Sequence, residues 1–147
     1  MNSLHRLGMT SAWGMTAAYL CSAHALTGQL QEARESACKA RPVLSSLGLE
    51  GLLLVHIALL CGRSGRSAEA ARLLGCSQAW YAANHNSPDS TMLRLFGIIE
   101  ADVEAALGSA ELEHQRAAGA AMSAGETAAL VRSLIGAAND PSLQPAK

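Results

Sequence analysis

The sequence predicts an all-α domain of about seven helices arranged in antiparallel pairs. The first observation is composition: 29 of the 147 residues are Ala and 22 are Leu, whereas only five are aromatic. Ala and Leu favour helices, while strands favour β-branched and aromatic residues. The second is the spacing of Gly and Pro, which recur at regular intervals and separate segments of ordinary helical length. The third is a glycine-centred turn that occurs twice, described below.

The first four helices are predicted from these Gly and Pro positions. They are predicted over residues 11–26, 29–46, 50–61 and 67–83. Gly28, Gly48 and Gly62 end the first three, since glycine is the commonest residue just past a helix C-terminus. Pro42 lies inside the second helix, where it removes a backbone hydrogen bond at a cost of about 3 kcal/mol. We therefore expect a kink or break at residues 39–41, or two shorter helices that meet at Pro42.

Three further helices complete the domain. They are predicted over residues 88–107, 109–121 and 124–137, and residues 139–147 are expected to form a flexible tail. Pro88 is placed at the first helical position, where its missing N–H is not needed. Ser109 is expected to cap the sixth helix. Ser123 and Glu126 form a capping-box pattern for the seventh.

A local motif repeats within the first two helix pairs. Gly-x-x-x-Glu-Ala occurs at residues 28–33 and again 37 positions later at 65–70, which aligns Leu20 with Ile57. The spacing is close to the 34-residue period of tetratricopeptide repeats. We therefore expect a tetratricopeptide-like right-handed α-solenoid over residues 1–138. In it, residues 1–10 are the remnant of a preceding repeat, 11–84 two helix pairs, and 88–138 three C-terminal helices.

Residues 66–80, RSAEAARLLGCSQAW, resemble a segment of large bacterial regulators that reads AARLLGAAEAL. In those proteins a Pro-containing loop, a long helix, LGEAAFAAAWAEG and LSLEEAVALAL follow. The corresponding segments here keep that order and spacing: 86–89, 91–107, 107–116 and 122–131. Almost the whole chain, most specifically residues 66–134, thus resembles the C-terminal helical-repeat region of ATP-binding transcriptional regulators with a winged-helix or LuxR-type DNA-binding domain. Similar regions end some adenylate-cyclase-like signalling ATPases.

That resemblance implies a region that senses a small molecule or a partner protein and restrains the ATPase and DNA-binding parts. The chain lacks a G-x-x-x-x-G-K-[ST] phosphate loop and a basic recognition helix. The family's aromatic residue in the sixth helix is also missing, and Leu112 and His114 stand in its neighbourhood. We therefore expect a non-catalytic binding module of a transcriptional regulator, without its own ATPase and DNA-binding domains. The alternatives are a structural or vestigial fragment, or an exported helical protein.

Charge and hydropathy exclude several other classes. The net charge is -1 and Lys and Arg do not cluster, so direct nucleic-acid binding is not expected. The apolar run 47–60 contains Glu50 and His56 and is too short to span a membrane. The four cysteines form no C-x-x-C pair, which favours reduced thiols and a cytoplasmic location. The export alternative depends on Ala23-His24-Ala25, a small-x-small pattern typical of signal cleavage sites.

Neither a metal site nor a catalytic set is expected. Cys21 and His24 lie three residues apart on one helix, but zinc needs three or four ligands, and core packing explains both residues. The acidic residues between positions 100 and 113 lie on solvated helical stretches and are not paired with a base and a nucleophile. We expect no cofactor and no enzymatic activity.

Candidate contacts to a protein, peptide or small effector come from two regions. The first and third helices are expected to line a concave face through His24, Thr27 and His56. Trp80 lies with Tyr81 and His85 at the end of the fourth helix, where it either forms a recognition surface or fills the junction with the C-terminal helices. With two aromatic residues of the first helix, the candidate surface is Trp13, Tyr19, His24, Thr27, His56, Trp80, Tyr81 and His85.

The first helix also predicts self-association. Solenoids need polar caps at their ends. This helix carries Trp13, Met15, Ala18 and Tyr19 with no polar cap before it. We therefore expect contact with a second molecule through the N-terminal helix pair.

Overall fold

The computed structural model describes residues 3–136, and over that range the chain is all-α with no strand. The predicted tail 139–147 lies outside the described residues. Within residues 3–136, seven α-helices follow one another with short connections, and a 3-10 turn, Glu50–Leu52, precedes the third helix. The α-helices are α1 (Ser3–Leu26), α2 (Leu30–Ser46), α3 (Leu54–Arg63), α4 (Ser67–Ala83), α5 (Ser90–Leu107), α6 (Ser109–Ala120) and α7 (Ala124–Ile135).

Helix α3 lies at the centre of the fold. Every residue from 54 to 61 is buried, which explains why this part of the chain is almost continuously apolar. It packs against α1, α2, α4, α5 and α7. Helix α7 packs against α2 and α3. The Cys38 thiol of α2 donates a hydrogen bond to the Ile135 carbonyl oxygen of α7, at 3.3 Å. The remaining helices therefore share one core built around α3.

The repeated motif forms the same turn at both of its positions. Gly28 and Gly65 have φ values of 80° and 83°, in the left-handed region that favours glycine. After each glycine the next amide N–H donates to a carbonyl oxygen five residues back, at 2.8 Å in both turns. This is a Schellman closure of the helix end. The predicted recurrence of the turn is thus confirmed.

The aligned positions next to these turns differ in environment. Ala33 and Ala70 are both fully buried, as expected for close packing of paired helices. Leu20, however, is 46% exposed, whereas the aligned Ile57 is fully buried. The difference arises because α1 lies at the edge of the fold and α3 at its centre.

Helix α2 is continuous from Leu30 to Ser46, so the expected break at residues 39–41 and the two shorter helices were wrong. Pro42 is exposed on the outer side of the helix. The inner side buries four apolar residues in the core with α1: Ala33, Ala37, Ala40 and Leu44. This burial offsets the backbone hydrogen bond that Pro42 cannot make.

Several helix starts also differ from the prediction. Residues 3–10 belong to α1, and the predicted helix 50–61 is a 3-10 turn followed by α3. Pro88 precedes α5, because the Asp89 side chain caps that helix by accepting the Met92 amide N–H at 2.9 Å. Ser109 does not cap α6: its hydroxyl donates to the Glu104 carboxylate at 2.8 Å.

The capping box at α7 is confirmed. The Ser123 hydroxyl accepts the Glu126 amide N–H at 3.1 Å, and the Glu126 carboxylate accepts the Ser123 amide N–H at 3.3 Å. Two donors that would otherwise lack partners are satisfied in this way, which fixes where α7 begins.

Helices α4 and α6 approach each other at two glycines. A Cβ atom added to Gly75 would overlap the Arg116 carbonyl oxygen, and one added to Gly119 would overlap the Arg72 carbonyl oxygen. Only glycine permits this backbone contact. The crossing holds α6, and α7 after it, beside the C-terminal half of α4.

Candidate ligand-binding cleft

A cleft of about 420 Å³ opens where the C-terminal half of α4 faces the turn before α3 and the α6–α7 connection. This volume is within the range of small-molecule sites. Most of the lining residues are small or apolar. They are Gly48, Glu50, Gly51, Leu54, Cys76, Ala79, Trp80, Ala83, Gly119, Ala120, Met122, Ala124, Thr127 and Ala128.

Trp80 is the large aromatic side chain of the cleft. Its indole lies directly on the backbone of Gly51, where a Cβ atom would overlap the five-membered ring. The ring edge-packs with Tyr81 at 5.3 Å between centroids, and Tyr81 in turn edge-packs with Phe96 at 6.2 Å. Trp80 is therefore held on two sides while the indole stays partly exposed in the cleft.

A second wall of the cleft contains two sulfur atoms and a hydroxyl. The Cys76 thiol donates to the Gly119 carbonyl oxygen at 3.1 Å, and its sulfur lies 3.6 Å from Thr127 Oγ1 and 3.9 Å from Met122 Sδ. Burial raises the pKa of Cys76, so the thiol stays protonated at neutral pH. The thiol therefore joins α4 to α6 and presents a neutral, polarisable surface.

Glu50 is the only charged residue among the described residues that line the cleft. Its carboxylate lies 3.5 Å from Nε of Arg41, and its side chain is 38% exposed. Arg41 is outside the cleft lining. A pair this long and this exposed is weak, so the carboxylate remains available to a bound group.

The three residues predicted to cluster at the end of α4 lie in different environments. Trp80 lines the cleft and also packs against the 3-10 turn. Tyr81 is only 6% exposed and supports Trp80 from behind. His85 is exposed in the turn after α4 and does not line the cleft.

His56 does not lie on an accessible face. It is fully buried, its Nδ1 is 2.6 Å from the Ser22 hydroxyl, and its Nε2 has no hydrogen-bond partner among the described residues. The Tyr19 ring meets it edge-on at 5.3 Å. Burial lowers the pKa of His56 to about 4, so the imidazole is neutral at pH 7. Sequence periodicity missed this burial because α3 is enclosed on all sides.

His24 and Thr27 close the C-terminal end of α1. Nδ1 of His24 is 2.7 Å from the Gln29 side-chain oxygen, and the Thr27 hydroxyl donates to the carbonyl oxygens of Ala23 and His24 at 3.0 and 3.1 Å. Both residues bind their own helix end, and neither lines the cleft.

Trp13 and Tyr19 lie on the outer side of α1, 52% and 40% exposed. Ala18, which was expected beside them, is fully buried, since it faces the core with α2 and α3. The exposed apolar stripe is instead formed by Met9, Trp13 and Leu20, which recur at helical spacing along one face.

The residues that sequence reasoning missed are Glu50, Gly51, Cys76, Met122 and Thr127. They come from three separate segments, so no local pattern marks them as a group. The one usable signal was the abundance of Gly and Ala in α4, α6 and α7, which indicates close helix packing. Between residues 3 and 136 no group of three or more His, Cys, Asp or Glu residues is placed to hold a metal ion.

In the described part of the chain, no helix is both long enough and apolar enough to cross a membrane. Comparisons with protein families, curated proteins and solved structures found no match.

Proposed function

We propose that this chain is a non-catalytic binding module whose effector occupies the cleft between α4 and the α6–α7 connection. The observation that carries the proposal is the 420 Å³ cleft, in which a partly exposed tryptophan lies among mostly small or apolar residues. A concave, mostly apolar space with a few polar groups is the usual form of a small-molecule site.

The chemistry of the cleft supports binding over catalysis. Its thiol, Cys76, is kept protonated by burial and already donates a hydrogen bond to a backbone carbonyl oxygen. No histidine is among the described residues that line it, so the cleft offers the thiol no imidazole as a base.

The regulatory context is proposed from the sequence. Residues 66–134 resemble the C-terminal helical repeats of bacterial ATP-binding transcriptional regulators, and they include α4, α6 and α7, which border the cleft. The finer description of α1–α4, tetratricopeptide-like pairs in a right-handed solenoid, is proposed from the Gly-x-x-x-Glu-Ala repeat and from the burial of Ala33 and Ala70, which end its two copies. On this proposal an effector in the cleft alters how the repeats contact the rest of a regulator in the cytoplasm.

The test is a ligand survey read at the two tryptophans. The indole N–H resonances of Trp80 and Trp13 are recorded by NMR while nucleosides, amino acids, fatty acids and amines are added in turn. At least one class is expected to shift Trp80 saturably and leave Trp13 unchanged. Ala128→Phe, which fills the cleft, should abolish that shift. If no class moves Trp80, the alternative of a structural fragment without its own ligand is favoured.

A second copy of the chain is the partner proposed for α1. Met9, Trp13 and Leu20 are each about half exposed, and residues 7–23 contain no charged side chain. An uncharged apolar stripe suits a partner with the same property, and an antiparallel second α1 supplies one. The stripe offers roughly 400 Å² per molecule, so the pair is below the size of stable interfaces and should be weak.

A further inference from the structure

The cleft combines one acidic group, one aromatic ring and an apolar body. Glu50 is its only charged lining residue among those described, and Trp80 its only aromatic one. Both line the same cleft, and the Trp80 indole rests on Gly51, the residue next to Glu50 in the chain. A ligand in the cleft therefore has a carboxylate and an indole among its neighbours.

An ammonium group satisfies both of these neighbours. A carboxylate pairs with it through charge, and the electron-rich face of an indole attracts it by the cation–π interaction. A carboxylate ligand would be repelled by Glu50, and a neutral ligand would leave the negative charge without a new partner. The negative charge of Glu50 therefore favours a positively charged ligand.

The remaining lining suits an apolar body. The Met122 sulfur lies 3.9 Å from the Cys76 sulfur of α4, and Ala124 and Ala128 line the cleft from α7. Thioether and thiol groups adapt to irregular apolar shapes and contact aromatic rings favourably. The cleft therefore combines one charged residue with an otherwise mostly apolar lining.

From these contacts we propose that the cleft selects an organic amine, with an ammonium group at Glu50 and Trp80 and an apolar or aromatic body against Met122 and α7. The inference rests on the proposed function, since it names the class of ligand for the same cleft. Arg41 limits the selectivity, because its guanidinium partly pairs with the Glu50 carboxylate at 3.5 Å.

The experiment compares three probes of equal size: 4-phenylbutylamine, 4-phenylbutanol and 4-phenylbutanoate. Each is titrated at pH 7 into the full chain and followed at the indole N–H of Trp80, with Trp13 as the internal reference. The amine is expected to bind about tenfold more tightly than the alcohol, and the carboxylate to bind most weakly. Glu50→Gln should make amine and alcohol equal. Arg41→Gln should strengthen amine binding, and Glu113→Gln, at a residue that does not line the cleft, should change nothing.

Different failures have different meanings. If the alcohol binds as tightly as the amine in the wild type, or the carboxylate binds best, amine selection is overturned while the cleft remains a ligand site. If selectivity for the amine persists in Glu50→Gln, the assignment of Glu50 is overturned. If none of the probes shifts Trp80, the amine proposal is overturned, and the broader survey then decides whether any effector uses the cleft.

Discussion

At the scale of single residues, His85 replaces a glycine in a recurring turn. The ends of α1, α2, the α3 segment and α4 close in the same way, and the residue at the left-handed position is Gly28, Gly48, Gly65 and His85 in turn. His85 has φ 50°, and the next amide N–H, that of Asn86, donates to the Tyr81 carbonyl oxygen at 3.0 Å. A side chain at this position costs energy that glycine avoids.

His85→Gly should therefore stabilise the protein by about 1 kcal/mol, measured as the free energy of unfolding in urea. His85→Val should destabilise it, because β-branched residues tolerate the left-handed region least. Gly65→Ala is the matched control: a Cβ there contacts nothing within 4 Å, so only backbone strain is introduced, and a loss of about 1 kcal/mol is expected. Equal stability of the His85→Gly and His85→Val variants would contradict this account.

His56 makes stability depend on pH. Its folded pKa of about 4 is below the ordinary value of 6.5, so the unfolded chain binds the proton first as pH falls. Stability is then complete above about pH 6.5 and decreases towards pH 4, with about 2 kcal/mol lost between pH 7 and pH 5. Urea unfolding between pH 7 and pH 5 measures the slope.

His56→Gln should flatten this slope, whatever its effect on stability at pH 7. The control, His114→Gln on the exposed side of α6, keeps the buried imidazole and should keep the slope. An unchanged slope in His56→Gln would show that other groups carry the pH dependence.

At the scale of elements, the crossing of α4 and α6 depends on glycine. Gly119→Ala places a methyl group on the Arg72 carbonyl oxygen, and since that neighbour is backbone, the two helices must separate. A loss of about 2–3 kcal/mol in unfolding free energy is expected from such overpacking. Gly97→Ala in α5 is the control, because its Cβ meets nothing within 4 Å and should stabilise by about 0.5–1 kcal/mol. If the two substitutions had the same sign, the close crossing would be refuted.

Among the elements, some features could be predicted from the sequence and others could not. The bounds of α4, the turns at Gly28 and Gly65 and the capping box at Ser123 were predictable, because each is set by residues within a few positions of one another. Continuity through Pro42 was not, since it depends on packing of α2 against α1. The cleft was missed for the same reason: Gly51, Trp80 and Met122 meet only after α4 and α6 have crossed.

At the scale of the whole molecule, the stripe on α1 makes the oligomeric state a measurable property. Sedimentation should show a monomer at low concentration and a growing dimer fraction as concentration rises, with a dissociation constant in the micromolar range or weaker. Trp13→Lys should abolish the dimer. Leu93→Lys is the matched control, because Leu93 is 56% exposed, close to Trp13 at 52%, but lies on α5 and is not part of the stripe. A wild-type chain that remains monomeric up to about 1 mM would contradict self-association.

The contact of α7 with α2 also determines how the molecule unfolds. In a linear array each repeat touches only its neighbours, so the ends can fray one unit at a time. Here the Cys38 thiol and the Ile135 carbonyl oxygen join positions 97 residues apart, on either side of α3. Opening α7 uncovers α2 and the central helix α3 together, so these three helices should behave as one cooperative unit. Their amide hydrogens are then expected to exchange with solvent at a common free energy, equal to that of global unfolding.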